Sequence, residues 1–176
     1  MIRVMIVDDD VIIRKGLSKN IGWSEAGFEL AGTAADGEEA YRLFQEIQPD
    51  VVISDIKMPF LDGLGLARKI FSQTNDVKII LLTGYDEFDY AKQALELKIF
   101  EYILKPVDRE CLLASVRRAA QELQQEREAR RRVKESLPLL RQHFLNRLIH
   151  DQYHTEEEIR EEVAFLELNL NVSCYI

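Results

Sequence analysis

Three aspartates stand in a row, Asp8-Asp9-Asp10, directly after the apolar run Ile2–Val7. Further along, Asp55 follows Val51–Ser54, Thr83 follows Val77–Leu82, and Lys105 follows Phe100–Leu104 with Pro106 next. Several carboxylates brought together cannot all stay ionised without a counter-charge. A hard divalent cation supplies one, and Mg2+ held by one or two carboxylates plus water suits such a set. A carboxylate beside that cation can act as a nucleophile towards phosphorus, giving an aspartyl phosphate. A lysine and the cation then neutralise the phosphoryl oxygens, and a threonine hydroxyl can donate to one of them. A lone Asp after a strand is usually a cap or turn residue, and Asp10 fits that reading as well as it fits a ligand. Thr83 alone or Lys105 alone would carry no weight. Their placement on successive apolar runs, together with the aspartates, is what points to chemistry.

The elements that must bring these residues together alternate in type. Short apolar runs over Ile2–Val7, Glu29–Thr33, Val51–Ser54, Val77–Leu82 and Phe100–Leu104 predict strands. Helical spacing predicts helices over Val11–Ile21, over the stretch carrying Ala40, Leu43, Phe44 and Ile47, over Leu64–Phe71 and over Phe88–Leu97. A further helix begins after Asp108, which can cap it. Asp36 is placed as an N-cap with Glu39 at the capping-box position, and Pro49 ends the helix between them. Repeated strand-then-helix units imply a parallel sheet covered on both faces. Ligands on such sheets bind beyond the carboxyl ends of the strands, which is where the aspartates, Thr83 and Lys105 fall.

These residues resemble the receiver domain of two-component response regulators. The likeness is carried by Val7-Asp8-Asp9, by Ser54-Asp55-Ile56-Lys57-Met58-Pro59 with Asp62-Gly63, by Leu82-Thr83-Gly84, and by Tyr102-Ile103-Leu104-Lys105-Pro106. It spans about residues 1–120. The resemblance implies a flavodoxin-like (βα)5 doubly wound sheet in the order 2-1-3-4-5. It implies that Asp55 takes a phosphoryl group from a sensor histidine kinase. Mg2+ would be held by Asp9, Asp55 and the backbone carbonyl of Lys57, with Asp8 supporting it largely through water. Lys105 would contact the phosphoryl group, through a cis bond to Pro106, and Thr83 and Tyr102 would form the switch. Asp10 stands where the family often has Glu. Tyr85, two residues after Thr83, would shield the phosphoryl group from water.

Beyond Asp108 the pattern becomes helical throughout. Leu112, Val116, Ala119 and Leu123, then Val133, Leu137, Leu140 and Phe144, recur at alternating spacings of four and three, with Glu126 and Arg130 in the slots between. This is a heptad-like seam with a polar break. The first four should cover the sheet, and the last four need another partner, either a second copy of the chain in a parallel coiled coil or a following domain. Pro138 should interrupt or kink the helix. Thr155 with Glu158 forms another capping box, ahead of a short acidic helix with Ile159, Val163, Phe165, Leu166 and Leu170 as apolar candidates. The last residues, Val172–Ile176, read as the start of a strand, so the chain is expected to be the N-terminal part of something longer. The expected organisation is a receiver over 1–120, a helical arm over 121–150, and the start of a following domain over 151–176. Gly22-Trp23, Gly27-Phe28 and, more weakly, Leu140–Leu170 resemble the subgroup whose output is an AraC-type helix-turn-helix.

Composition excludes several classes. The chain has 23 basic and 31 acidic residues, a net charge of −8, which disfavours nucleic-acid binding by these residues themselves. DNA binding would belong to a C-terminal domain. Cys111 and Cys174 are too far apart in sequence for a zinc site or disulfide framework. No apolar run approaches the roughly 18 residues of a membrane span, and the start lacks a signal-peptide pattern, so a cytoplasmic protein is expected. The competing reading is an Mg2+-dependent phosphatase of the haloacid dehalogenase type, with Asp8-x-Asp10 as its first motif. Ile12 in place of Thr or Val, and the lack of a later paired acidic motif, count against it.

Overall fold

The computed structural model describes residues 1–84, 97–150 and 155–166. The chain divides into two compact units, Met1–Gln125 and Glu126–Ile176. Strands β1 (Ile2–Val7), β2 (Phe28–Ala34), β3 (Val51–Asp55), β4 (Lys78–Thr83) and β5 (Glu101–Leu104) form one sheet in the order β2-β1-β3-β4-β5. Every pairing is parallel. The helices described are α1 (Val11–Asn20), α2 (Gly37–Ile47), α3 (Gly63–Phe71), α4 (Arg109–Ile149) and α5 (Glu156–Phe165). The expected helix over Phe88–Leu97 lies outside the described residues except for Leu97, and Leu170 and Val172–Ile176 also lie outside them.

Alternation along the strands sorts the core into two layers, because successive side chains point to opposite faces. Val4, Ile6, Val51, Ile53, Ile80 and Leu82 cluster with Leu17 of α1 and with Leu112, Val116 and Ala119 of α4. Met5, Val7, Val52, Ile79 and Leu81 cluster with Ala40 and Phe44 of α2 and with Leu64, Ala67 and Ile70 of α3. Leu112, Val116, Ala119 and Leu123, the first four positions of the seam, are fully buried. Both faces of the sheet are thus covered, and its carboxyl edge is left for function.

Capping residues set where the helices start at that edge. Asp10 caps α1, its side chain accepting from the amides of Ile12 and Ile13. Asp36 caps α2 by accepting from Glu38 and Glu39. The expected capping box is shifted by one residue: Glu39 Oε2 accepts from the amide of Ala35 rather than of Asp36, at 2.6 Å. Gln48 closes α2 with φ 45°, and Pro49 prevents the helix from continuing. Asp108 Oδ1 accepts from the amide of Cys111 in the first turn of α4.

In the second unit one expectation is corrected: the helix α4 is not interrupted at Pro138 but continues through it. Pro removes one backbone donor, but the residues around it are good helix formers that carry the remaining bonds. Phe144, expected to need a partner beyond the receiver, is fully buried. Here Thr155 caps α5, Arg141 Nε donates to Leu166 O at 3.0 Å, and Arg147 Nη1 pairs with Glu162 at 3.1 Å. Val133 and Leu140 of the same seam remain exposed. Among the described residues no helix is long and apolar enough to cross a membrane.

Candidate functional site

Because all five strands are parallel, Asp8, Asp55, Thr83 and Lys105 reach one edge of the sheet. One carboxylate oxygen from each of Asp8, Asp9 and Asp55 lies within 4.8 Å of the others. Lys105 Nζ bridges two of them, at 3.0 Å from Asp8 Oδ2 and 2.9 Å from Asp55 Oδ2. The remaining oxygens are also held. Asp8 Oδ1 accepts from the amide of Asp10 at 2.9 Å, and Asp55 Oδ1 from the amide of Ile56 at 2.8 Å. Asp8 is fully buried, Asp55 half-buried and Asp9 exposed, so the cluster runs from the interior to the solvent.

Burial pushes the Asp55 carboxyl above its ordinary value; the Lys105 hydrogen bond and charge oppose this, while the Asp8 charge adds to it. Burial also works against the Lys105 ammonium, yet its bonds to Asp55 and Asp8 and their charges hold it above its ordinary value. The two directions agree in physical terms. The ammonium facing two carboxylates stays charged, whereas for Asp55 the cost of burial outweighs what Lys105 returns. The donor set is all oxygen, negative, and partly open to solvent, which is the chemistry a hard divalent cation requires.

The turns that hold Asp55 are fixed by glycine. A Cβ on Gly63 would stand 2.2 Å from the Asp55 carbonyl oxygen, and one on Gly37 would stand 2.2 Å from the Leu61 carbonyl oxygen. The loop after β3 is therefore packed, backbone against backbone, onto the first residues of α3 and α2. Gly63 N donates to Ile56 O at 2.8 Å, and Asp62 Oδ1 caps α3 by accepting from Gly65 at 2.6 Å. Lys57 is exposed, two residues beyond Asp55.

On the other side, Lys105 N donates to Thr83 O at 2.8 Å, which carries the β4–β5 pairing one residue past β5. The Lys105–Pro106 bond is cis. The buried Thr83 hydroxyl donates to Gly84 O at 3.1 Å. Tyr102 pairs in register with Leu81, half-buried against the α2–α3 layer. Tyr85 lies outside the described residues.

The site thus gathers Asp8, Asp55 and Lys105 by direct contact, with Asp9 in the same carboxylate cluster and Thr83 on the neighbouring strand end. Asp10 is not in the carboxylate cluster: its side chain is the α1 cap. Sequence reasoning missed Arg14, whose guanidinium Nη1 donates to the carbonyls of Asp8, at 2.5 Å, and Asp9, at 3.4 Å. Its position one helical turn past the Asp10 cap was the available signal.

Comparison with known proteins agrees with this geometry. The family model of the response regulator receiver domain matches residues 4–117. The chain belongs to the response regulator receiver family. The transcriptional regulatory protein YesN of Bacillus subtilis is 36% identical over 126 residues, covering 72% of this chain and 34% of its own. The transcriptional regulatory protein HptR of Staphylococcus aureus is 43% identical over 108 residues, covering 61% of this chain and 42% of its own. The receiver matches therefore span well under half the length of these relatives. Among solved structures, the receiver domain of AraT, a response regulator from Geobacillus stearothermophilus, is 39% identical with a TM-score of 0.66, covering 71% of this chain and 97% of that one. A two-component transcriptional regulator AraC from Clostridium phytofermentans is 30% identical with a TM-score of 0.67, covering 72% and 98%. The receiver is a signalling module of a two-component system, and its relatives are transcriptional regulators.

The raised Asp55 carboxyl gives a stability prediction. The folded receiver holds that proton more tightly than the unfolded chain does, so the ionised carboxylate costs stability at neutral pH. The cost shrinks as pH falls through the folded value and vanishes below the unfolded one, about 3.9. In EDTA, Asp55→Asn is expected to melt above the parent at pH 7, with the gap closing towards pH 4. Thermal unfolding followed by circular dichroism checks this.

Proposed function

We propose that this receiver accepts a phosphoryl group on Asp55 from the histidine of a sensor kinase. The observation that carries this reading is the Lys105 ammonium, seated between Asp8 and Asp55 inside the carboxylate cluster. An Asp55 oxygen would bond to phosphorus as the bond from phosphorus to the donor imidazole breaks. Lys105 would set positive charge against the transferred oxygens. Mg2+, when bound, adds further positive charge there. Asp9, Asp55 and the backbone carbonyl of Lys57 would hold it, and Asp8 would act through water.

The switch would lie in Thr83 and Tyr102. The Thr83 hydroxyl would leave Gly84 O for a phosphoryl oxygen, and the Tyr102 ring would turn inward to fill the space. A new charge would bias a two-state element in this way. The output would be transcriptional, of the AraC type, carried by a C-terminal domain that alone would bind DNA. Homodimerisation through the helix after residue 108 would couple the two. The exposed Val133 and Leu140 and the half-buried Leu137 support that pairing. A cytoplasmic location suits a module that meets a kinase and DNA.

The phosphatase reading is less well supported. It would make Asp8 the nucleophile, but Asp8 is fully buried and both its oxygens are engaged, by Asp10 N and Lys105 Nζ. Asp55 is the more open carboxylate. A kinase docking over Asp55 is also consistent with the apolar groups around the site. Ile12, in the first turn of α1, is 82% exposed; Phe60, in the loop after β3, is 92% exposed; and Leu104, at the end of β5, is exposed as well. Phe60 also holds φ 66°, a backbone region that costs a bulky residue energy.

Two tests follow from this reading. With acetyl phosphate and Mg2+ the parent chain is expected to gain one labile phosphoryl group, and Asp55→Ala none; persistent labelling of Asp55→Ala in intact-mass spectra contradicts the assignment. Phe60→Ser is expected to keep the parental labelling rate with acetyl phosphate but to slow transfer from a phosphorylated kinase core by about tenfold, the effect of losing one interface anchor. Equal transfer rates would remove Phe60 from the docking surface.

A further inference from the structure

The aspartate loop has to present Asp9 to a cation while Asp8 stays buried beneath it. The loop is held by bonds from Asp8 N to Ala34 O and from Asp10 N to Asp8 Oδ1, and by the Asp10 side chain, which accepts from the amides of Ile12 and Ile13. None of them fixes the peptide carbonyls of Asp8 and Asp9. Those two carbonyls are met by one group, the half-buried guanidinium of Arg14, whose Nη1 reaches Asp8 O at 2.5 Å and Asp9 O at 3.4 Å.

This contact is chemically selective. A cation beside a carboxylate cluster would ordinarily pair with a carboxylate, as Lys105 does. Such pairing occupies the oxygens that a divalent ion needs. Arg14 binds backbone instead, so it steadies the loop and leaves the exposed Asp9 carboxylate to a ligand. A guanidinium carries several donors in a rigid plane and can span neighbouring carbonyls, which an ammonium does less well. Arg14 belongs to α1, so its bonds tie the loop to that helix.

We propose that Arg14 is the positioning residue of the cation site, setting the Asp8–Asp9 backbone so that Asp9 faces Asp55. This rests on the reading of the site as an Mg2+ site. Partners that orient metal ligands from outside the coordination sphere typically change affinity by about 10- to 100-fold when removed. Arg14 also brings a positive charge near the ion, which opposes binding. The proposal is that orientation outweighs this repulsion.

Isothermal titration of the full 176-residue chain with Mg2+ tests it, alongside melting in EDTA. Arg14→Met keeps an unbranched stem and good helix propensity. It is expected to weaken Mg2+ binding by about tenfold, with Arg14→Lys intermediate. Melting in EDTA should change little in either variant. Mg2+ binding by Arg14→Met or Arg14→Lys as tight as the parent's, or tighter, overturns the proposal, as does a fall in EDTA melting temperature with no change in Mg2+ affinity. Failure of the parent chain itself to bind Mg2+ would instead overturn the cation reading, and this proposal with it.

Discussion

Lys105 holds the carboxyl edge of the sheet together. Its ammonium meets Asp8 at 3.0 Å and Asp55 at 2.9 Å, so residues from β1, β3 and the end of β5 share one ion-paired centre. The pairing is incomplete in charge, since Asp9 joins the same cluster. An isolated buried pair of this kind is weak evidence for stability, because desolvation offsets much of the attraction. Here burial raises the Asp55 carboxyl, with the Asp8 charge adding to it, and Lys105 only partly offsets the two. The arrangement is better understood as an acidic site short of positive charge than as a fastener.

The rest of the receiver keeps that centre from relaxing. Five parallel strands in the order β2-β1-β3-β4-β5 force the strand ends onto one edge. Gly63 and Gly37 let the loop after β3 lie against α3 and α2 at distances a side chain would forbid. Asp10, Asp36 and Asp62 cap the helices that start from that edge, so each loop ends in a fixed direction. Buried apolar layers on both faces anchor these pieces to the sheet.

Much of this was legible in the residues. The apolar runs gave strand positions to within a residue or two at their ends, because strands buried on both faces leave a continuous signal. Asp55, Asp8, Asp9 and Lys105 were found because each follows such a run. What could not be read was geometry between side chains. Whether Asp10 was a cap or a ligand turned on bonds to Ile12 and Ile13 that spacing alone does not show. Arg14 escaped notice because its partners are backbone carbonyls, which every residue has. Phe144 belonged to a regular seam, and only the structure shows it buried where Val133 and Leu140 are exposed. Pro138 signalled a break, yet the helix runs through it.

The central claim is that the carboxylate cluster is a specific divalent-cation site. The most direct measurement is the melting temperature of the chain at pH 7 as Mg2+ rises, against NaCl of equal ionic strength. Specific binding to the folded state stabilises by mass action, so the melting temperature should climb steadily once Mg2+ exceeds its dissociation constant. NaCl should give only a small screening effect. Equal shifts in the two salts, or none in Mg2+, would contradict the account.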